Sequence, residues 1–304
     1  MSLPSQCILV FGAAGQVGHE LFRRSVPQGF NVVGLSHAEA DISDIAAVAR
    51  ASERHRPAVI VNAAAYTAVD RAESDAQRAF AVNAEGARIL AAAAGRFDAS
   101  IIQLSTDYVF DGAKGSPYHE DDLVAPVSAY GRSKEAGERA VRAVNPRHVI
   151  LRTAWVYGVH GHNFAKTMLR LAAGRDLVRV IGDQHGTPTA ASDVADAVLA
   201  LAARLMRAEA VFGTFHLTNS GHTTWYGFAS RIFETLAARG RGVPPLEAIT
   251  TAEYRTPARR PAMSVLDCSK IAALYGIRLR PWAEALDQVL PELLKQRPFA
   301  RGAA

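Results

Sequence analysis

A glycine-rich turn near the start of the chain limits the fold more than any other feature of the sequence. Residues 7–11 are an apolar run typical of a buried strand, and Gly12-Ala-Ala-Gly15-Gln-Val-Gly18 follows directly. A helical pattern then continues through Leu21 and Phe22. In this order of strand, turn and helix, glycines let the backbone approach a pyrophosphate at a helix N-terminus. The alternative is a flexible turn that binds nothing.

The next part of the chain alternates between strand-like and helix-like segments. Apolar runs at 31–35, 58–62, 100–104 and 148–152 predict strands, and segments 44–54 and 76–97 predict helices. Such alternation predicts an α/β fold with a doubly wound parallel sheet of the Rossmann type. Ligands of such sheets bind at the carboxyl ends of the strands. Tyr66, Thr67 and Thr106 follow strand ends, so we expect them near the ligand.

The second half of the chain is mixed and contains no second glycine fingerprint. Segments 163–173, 192–208 and 225–239 predict helices, and 177–181 and 213–217 predict strands. We predict a dinucleotide-binding domain made of residues 1–155 plus roughly 190–218. A smaller mixed α/β substrate domain is predicted from residues 156–189 and 219–304, with some segments returning to complete the first sheet.

Two residues of a predicted helix are candidates for acid–base chemistry. Tyr130 and Lys134 lie four residues apart, after a plausible N-cap at Ser128, so they share one helix face. A nearby ammonium stabilises a phenolate and lowers its pKa, which would make the tyrosine an effective proton donor. The Thr106 hydroxyl could bind the same substrate oxygen. A Tyr-x-x-x-Lys pair can also be a simple surface pair, so the context decides.

Composition excludes several other classes of protein. The net charge is +5, but the sequence has no run of Lys and Arg and no nucleic-acid motif, so we expect no nucleic-acid partner. Two distant cysteines form no disulfide framework or metal pair, and His160-Gly-His162 lacks further ligands, so no metal is predicted. No secretory signal or membrane-spanning stretch is present, which favours a cytoplasmic protein without a membrane partner.

Several further motifs lie along the chain besides the glycine turn. They are Asn62-Ala-Ala-Ala-Tyr-Thr-Ala-Val-Asp70, Ser105-Thr-Asp-Tyr-Val-Phe-Asp-Gly112, Tyr130-Gly-Arg-Ser-Lys134, Arg152-Thr-Ala-Trp-Val-Tyr157, Asn163-Phe-Ala-Lys-Thr-Met-Leu169, Asp183-Gln-His-Gly-Thr-Pro188 and Arg260-Pro261. Together these motifs resemble the extended short-chain dehydrogenase/reductases. More closely, the chain is similar to the dTDP-4-dehydrorhamnose reductase family, and the resemblance covers nearly the whole chain.

The resemblance implies reduction of the 4-keto group of dTDP-4-dehydro-L-rhamnose by a nicotinamide cofactor, giving dTDP-L-rhamnose. Tyr130 would donate the proton, Lys134 would depress the Tyr130 pKa and hold the nicotinamide ribose, and Thr106 would bind the carbonyl oxygen. Asp107 and Trp155 would contact the sugar. Arg260 could bind the diphosphate of the substrate through charge-assisted hydrogen bonds.

The expected cofactor site combines the glycine turn, the ends of the strands and the Tyr/Lys pair. Its predicted residues are Gly12, Gly15, Gln16, Val17, Gly18, Ser36, Asp41, Ile42, Ala63, Ala64, Ala65, Thr67, Tyr130 and Lys134. An acidic residue after the second strand would bind the ribose hydroxyls of NAD, but Ser36 is neutral. This favours NADPH, with NADH as the alternative.

Several alternatives stay open at the level of the sequence. Asp107 is followed by Tyr108, where sugar-nucleotide dehydratases typically carry glutamate, so simple reduction fits better than elimination. Met263 and Val265 stand where family members commonly have Asn and Arg, so the diphosphate contacts or the nucleotide preference could differ. Another sugar-nucleotide reductase or epimerase, or a non-catalytic regulatory subunit, are the competing functions. We expect a monomer or a homodimer.

Overall fold

The computed structural model describes residues 6–207, 210–296 and 299. Its strands are β1 (Cys7–Phe11), β2 (Asn31–Leu35), β3 (Val59–Asn62), β4 (Ser100–Thr106), β5 (His148–Thr153), β6 (Val156–Tyr157), β7 (Val178–Ile181), β8 (His185–Gly186), β9 (Thr189–Ala190), β10 (Gly213–His216), β11 (Thr223–Thr224) and β12 (Leu246–Ile249).

The helices connect these strands and cover the sheets. They are α1 (Gln16–Ser25), α2 (Ile45–His55), α3 (Val69–Ala72), α4 (Ala76–Phe80), α5 (Ala87–Arg96), α6 (Ala129–Val144), α7 (Phe164–Gly174), α8 (Ala191–Met206), α9 (Trp225–Ala238), α10 (Ser269–Tyr275) and α11 (Trp282–Leu294). The predicted end of α8 at Ala208 lies outside the described residues, as do residues 1–5, on which the absence of a secretory signal depended.

The largest sheet in the described part of the chain is parallel, with the strand order β10-β5-β4-β3-β1-β2. Every residue of its central strands β1 and β3 is buried because helices cover both faces. Ile8 and Val10 pack on one face with α1 and α8, whereas Leu9 and Phe11 pack on the other with α2 and α5. The predicted doubly wound Rossmann sheet is confirmed, and β10 is the returning strand that completes it.

A second core lies between α7, α9 and α11. Phe228 and Ile232 of α9 pack there with Leu286 and Leu290 of α11, and all four are fully buried. This core belongs to the part of the chain that the sequence assigns to the substrate domain. However, α10 contributes Ile271 to the core of the parallel sheet, although the prediction counted residues 219–304 with the other domain.

The predicted helix over residues 76–97 is interrupted. A π-helical turn at Ala81–Gly86 separates α4 from α5. The turn carries Asn83, whose amide bonds both backbone groups of Tyr66 and the Ser133 hydroxyl. Single π turns of this kind often lie at functional sites because they redirect a side chain. Here the turn ties the loop after β3 to α6.

None of the helices in the described residues is both long enough and apolar enough to span a membrane.

Candidate active site

The glycine turn packs so closely on the loop after β3 that side chains would not fit. Gly12 has a φ of 88°, and a Cβ on it would overlap the backbone of Ala63 and Ala64. A Cβ on Gly18 would overlap the Gly12 carbonyl. Gly15 precedes α1 without a side-chain cap, which leaves first-turn amides for an anion. This cradle fits the diphosphate of a nicotinamide dinucleotide.

The side chain of Gln16 faces the other half of the molecule. Its Nε2 donates to the Val156 carbonyl at 3.2 Å, and its Oε1 accepts from Asn163 Nδ2 at 3.0 Å. Asn163 also caps α7 by accepting from the Lys166 amide. Gln16 therefore connects the glycine turn to the start of α7. We expect Gln16 and Val17 to contact a cofactor through the backbone.

The end of β2 carries an acidic group that the sequence argument missed. The Glu39 carboxylate accepts from the Ser36 amide at 2.8 Å and from the Ser36 hydroxyl at 2.7 Å. Those two hydrogen bonds lower the pKa of Glu39, so it is ionised at neutral pH. The spacing Ser-x-x-Glu in the sequence could have indicated that Glu39 bonds Ser36. Asp41 bonds Ser43 instead, and the Ile42 side chain is buried.

The loop after β3 is held at its base. Asn62 accepts from the Ala64 amide and donates to Gln103 of β4. The alanines 63–65 are half-buried, and Thr67 is exposed. Small side chains therefore follow β3 beside the glycine turn, and they leave room for a planar ligand at this edge of the sheet.

Tyr130 and Thr106 are brought together by the packing of α6 on the end of β4. Ser128 caps α6 by accepting from the Gly131 amide at 3.1 Å. A Cβ on Gly131 would overlap the Tyr108 carbonyl, so the first turn of α6 lies directly against the turn after β4. The Thr106 hydroxyl is close enough to the Tyr130 phenol to affect its pKa.

The protein alone does not lower the pKa of Tyr130, which corrects the expectation from the sequence. Burial raises the pKa of Tyr130 to about 12, and this outweighs the opposing hydrogen bond with Thr106. Lys134 Nζ donates to the Leu104 carbonyl at 2.6 Å. Burial lowers the pKa of Lys134 to about 8, although the Glu138 carboxylate opposes that shift. The desolvation of the phenol dominates.

Asp107 is 2% exposed and carries an unsatisfied acceptor. Its Oδ1 accepts from the Thr106 hydroxyl at 3.1 Å, whereas Oδ2 has no hydrogen-bond partner among the described residues. Burial raises the pKa of Asp107 to about 7, and nearby hydroxyls of Ser264 and Thr106 oppose this. Buried polar groups are normally hydrogen-bonded, so the free oxygen fits a ligand hydroxyl.

Trp155 lies two residues after Thr153, which pairs with Thr106 in the register of β4 and β5. Its half-buried indole stacks on Trp225. The predicted sugar-facing aromatic therefore closely follows the end of β5, the strand that pairs with β4.

Arg260 is paired inside the protein, which the sequence did not predict. Its guanidinium bonds both carboxylate oxygens of Asp70, at 3.0 and 2.7 Å, and also Thr256. This ion pair connects α3, which contains Asp70, to the loop that precedes Met263. Val265 is buried, so it presents no side chain for an anionic ligand.

The described residues hold no group of three or more His, Cys, Asp or Glu side chains arranged for a metal ion. His160 stacks on His19 with ring centroids 4.3 Å apart.

Residues 6–295 match the family model described as the RmlD substrate binding domain. A dTDP-4-dehydrorhamnose reductase from Streptomyces griseus is 46% identical over 286 residues, covering 94% of this chain and 93% of that protein. The chain belongs to the dTDP-4-dehydrorhamnose reductase family. A family structure from Bacillus anthracis, described as a complex with NADP, has a TM-score of 0.88 and 32% identity, covering 95% of this chain and all of that one.

The family also has relatives with another stated substrate. A protein from Streptomyces antibioticus, described as a probable dTDP-4,6-dihydroxy-2-methyloxan-3-one 4-ketoreductase, is 42% identical over 299 residues. That alignment covers 97% of this chain and 99% of the relative. Membership of the dTDP-4-dehydrorhamnose reductase family therefore leaves room for different 4-keto sugars.

Proposed function

We propose that the protein uses NADPH to reduce the 4-keto group of dTDP-4-dehydro-L-rhamnose, which yields dTDP-L-rhamnose. The observation that carries this proposal is the approach of Thr106 and Tyr130 at the end of β4, on the same edge of the parallel sheet as the glycine turn. Such a placement allows one substrate oxygen to meet a hydroxyl and a proton donor at once. Membership of the reductase family supports the same reaction.

Tyr130 is the proton donor in this proposal. Its raised pKa keeps the phenol protonated at neutral pH, as a donor to a developing alkoxide must be. Lys134 would stabilise the phenolate that remains and hold the nicotinamide ribose, and the Leu104 carbonyl fixes its ammonium. Thr106 would hydrogen-bond the carbonyl oxygen of the sugar. The bound cofactor would supply the hydride.

Asp107 and Trp155 are the proposed sugar contacts. The unsatisfied Oδ2 of Asp107 would accept from a sugar hydroxyl, and the indole of Trp155 would cover the ring. Arg260 fits this role less well, because its guanidinium already bonds Asp70. We therefore propose that Arg260 anchors its loop and reaches the diphosphate only if that pair opens.

NADPH is the proposed cofactor because the related Bacillus anthracis structure is described with NADP. We propose that the cofactor residues predicted from the sequence bind this NADPH. Glu39 at the end of β2 is the group that would favour NADH instead.

A second candidate is reduction of a different dTDP-linked 4-keto sugar, which the relative from Streptomyces antibioticus favours. A regulatory subunit would not need Thr106, Tyr130 and Lys134 together, so that alternative is less well supported. The cytoplasmic location, the monomeric or dimeric state and the lack of a nucleic-acid partner stay predictions.

The test is the oxidation of NADPH and NADH by the purified protein with dTDP-4-dehydrorhamnose. We expect oxidation with dTDP-rhamnose as the product. Tyr130→Phe should lower the turnover number by roughly 100-fold to 10,000-fold because it removes the proton donor, while cofactor affinity stays close to that of the wild type. Turnover of the variant at the wild-type rate would remove Tyr130 from the mechanism.

Absence of oxidation by the wild type, despite measurable NADPH binding, would favour the second candidate. The same assay with other dTDP-linked 4-keto sugars would then identify the substrate.

A further inference from the structure

Trp155 has a strained backbone. Its φ is 48°, in the left-handed region, which a bulky residue other than glycine rarely adopts because the conformation is strained. Arg56 and Asp98, the other non-glycine residues with positive φ in the described chain, follow helices α2 and α5. Trp155 instead follows β5, the strand that pairs with β4. Neighbouring groups must therefore hold this conformation.

The Trp155 ring stacks on the ring of Trp225. The two indoles are parallel within 7°, with ring centroids 3.5 Å apart. The edge of the Trp155 ring lies against Gly186, where a Cβ would overlap it, and the Trp155 carbonyl accepts from the Thr189 amide at 3.3 Å. Glycine at 186 thus makes room for the ring, and Trp225 supports its face.

Trp225 is itself rigidly placed. It is the first residue of α9, which Thr224 caps by accepting from the Gly227 amide at 3.0 Å. Phe164 packs beside its ring, and fully buried Phe228 lies behind Phe164. A chain of ring contacts therefore connects Trp155, through Trp225 and Phe164, to Phe228 of the second core.

We propose that Trp225 is a positioning residue for sugar binding: by stacking on Trp155, it holds that strained indole ready as a wall of the sugar site. The inference rests on the proposed contact between Trp155 and the sugar. Its energetic basis is pre-organisation, since a ring already held in place loses little freedom when the sugar binds. Ordinary core packing is the competing explanation, but both indoles are only half-buried, whereas Phe228 is fully buried.

The experiment compares Trp225→Leu and Trp225→Phe with Trp282→Phe as the matched control. Trp282 lies edge-on to Phe228, 5.9 Å away, and takes no part in the stack. Calorimetry would measure the Kd of dTDP-rhamnose and of NADPH for each purified variant. Circular dichroism would report the stacked indole pair, because two closely stacked indoles whose in-plane transition dipoles are skewed couple to give a paired signal.

We expect Trp225→Leu to lose the paired signal and to bind dTDP-rhamnose roughly fivefold to tenfold more weakly, as for the loss of one aromatic stack. Trp225→Phe should recover part of that affinity. NADPH affinity should stay at the wild-type value in both, and Trp282→Phe should match the wild type throughout.

Wild-type affinity for dTDP-rhamnose in Trp225→Leu, with the paired signal lost, would overturn the proposal. An equal loss of NADPH affinity would do the same, since it would indicate general disruption. Should Trp225→Leu fail to fold, an unchanged sugar affinity in folded Trp225→Phe, also without the paired signal, would be decisive against it. Trp155→Leu distinguishes the failure of the two proposals. If this variant binds dTDP-rhamnose with wild-type affinity, Trp155 itself does not contact the sugar, and the error does not concern Trp225 alone.

Discussion

At Tyr130 and Asp107, burial shifts the pKa of the side chain more than any neighbouring charge or hydrogen bond does. Burial is the largest cause of the raised pKa at both residues, and the hydroxyl of Thr106 opposes it at both. A phenol that keeps its proton at neutral pH is suited to donating that proton to an alkoxide, and the unpartnered Oδ2 of Asp107 is suited to accepting from a sugar hydroxyl. Solvation therefore determines the acid–base character of this site.

Asp107 should make stability depend on pH. Its folded-state pKa of about 7 lies above the ordinary value of 3.8, so the folded protein binds more protons than the unfolded chain between these values. Stability from this residue is thus present at low pH and is lost as the pH rises towards 7. Relative to Asp107→Asn, the wild type should lose roughly 3 kcal/mol of unfolding free energy between pH 5 and pH 8. Urea unfolding of both proteins at the two pH values measures this, and an equal difference at both would contradict it.

Glu39 should oppose the 2'-phosphate of NADPH. Its ionised carboxylate occupies the amide and hydroxyl donors of Ser36, which a phosphate at the end of β2 would otherwise use. Glu39→Gln should raise the affinity for NADP⁺ relative to NAD⁺ by roughly fivefold to tenfold, the size of one surface charge interaction. Calorimetric titration of both nucleotides measures the ratio. Glu53→Gln, an exposed change on α2, is the control. A ratio that does not change would show that Glu39 lies away from the cofactor.

At the scale of elements, α6 is the helix whose placement matters most. Its first turn lies against the end of β4 because residue 131 is glycine, and its third turn lies against the π turn because residue 137 is glycine. Asn83 of the π turn also bonds Ser133 of α6. These contacts hold Tyr130 and Lys134 against the sheet.

Gly137→Ala should lower the stability of the protein, although a change from glycine to alanine within a helix usually raises it. In an exposed helix, alanine is favoured over glycine by about 1 kcal/mol. Here the added Cβ would overlap the Asn83 carbonyl, so we expect both lower stability and lower turnover as α6 moves outward. Gly95→Ala in α5 is the matched control, because its Cβ would meet no atom within 4 Å. Urea unfolding and turnover numbers measure both effects. Equal stability of the two variants would mean that the contact relaxes at no cost.

At the scale of the whole molecule, polar contacts connect segments that are far apart in the sequence. Arg260 bonds Asp70 across 190 residues, and Gln16 accepts from Asn163 across 147. Glu138 of α6 bonds Arg152 of β5 within the core. These links hold segments of the second half of the chain against α3 and the residues that follow the glycine turn.

The Arg260–Asp70 pair should stabilise the fold by about 1 kcal/mol, since the Asp70 side chain is 41% exposed and solvent screens the pair. A double-mutant cycle with Asp70→Asn and Arg260→Gln would measure the coupling by urea unfolding. The exposed pair Arg179–Glu247 should give a coupling near zero in the same measurement. If Arg260 and Asp70 show no coupling, the loop is held by other contacts.

The sequence alone determined the features that depend on local order. The apolar run of residues 7–11 and the glycines after it predicted β1, its turn and α1, because strand and helix periodicity are properties of neighbouring residues. The same holds for Tyr130 and Lys134, whose common helix face follows from their spacing. The parallel sheet and the candidate site at the end of β4 could be predicted from such patterns.

Only the tertiary structure decided which partner each of these residues and elements takes. Lys134 bonds the Leu104 carbonyl, Arg260 bonds Asp70, α10 packs on the parallel sheet, and Trp155, whose φ is positive, stacks on Trp225. The pKa of Tyr130 was wrongly predicted for the same reason. Solvation and long-range contacts depend on segments that meet only in the folded chain, and no local pattern of residues encodes them.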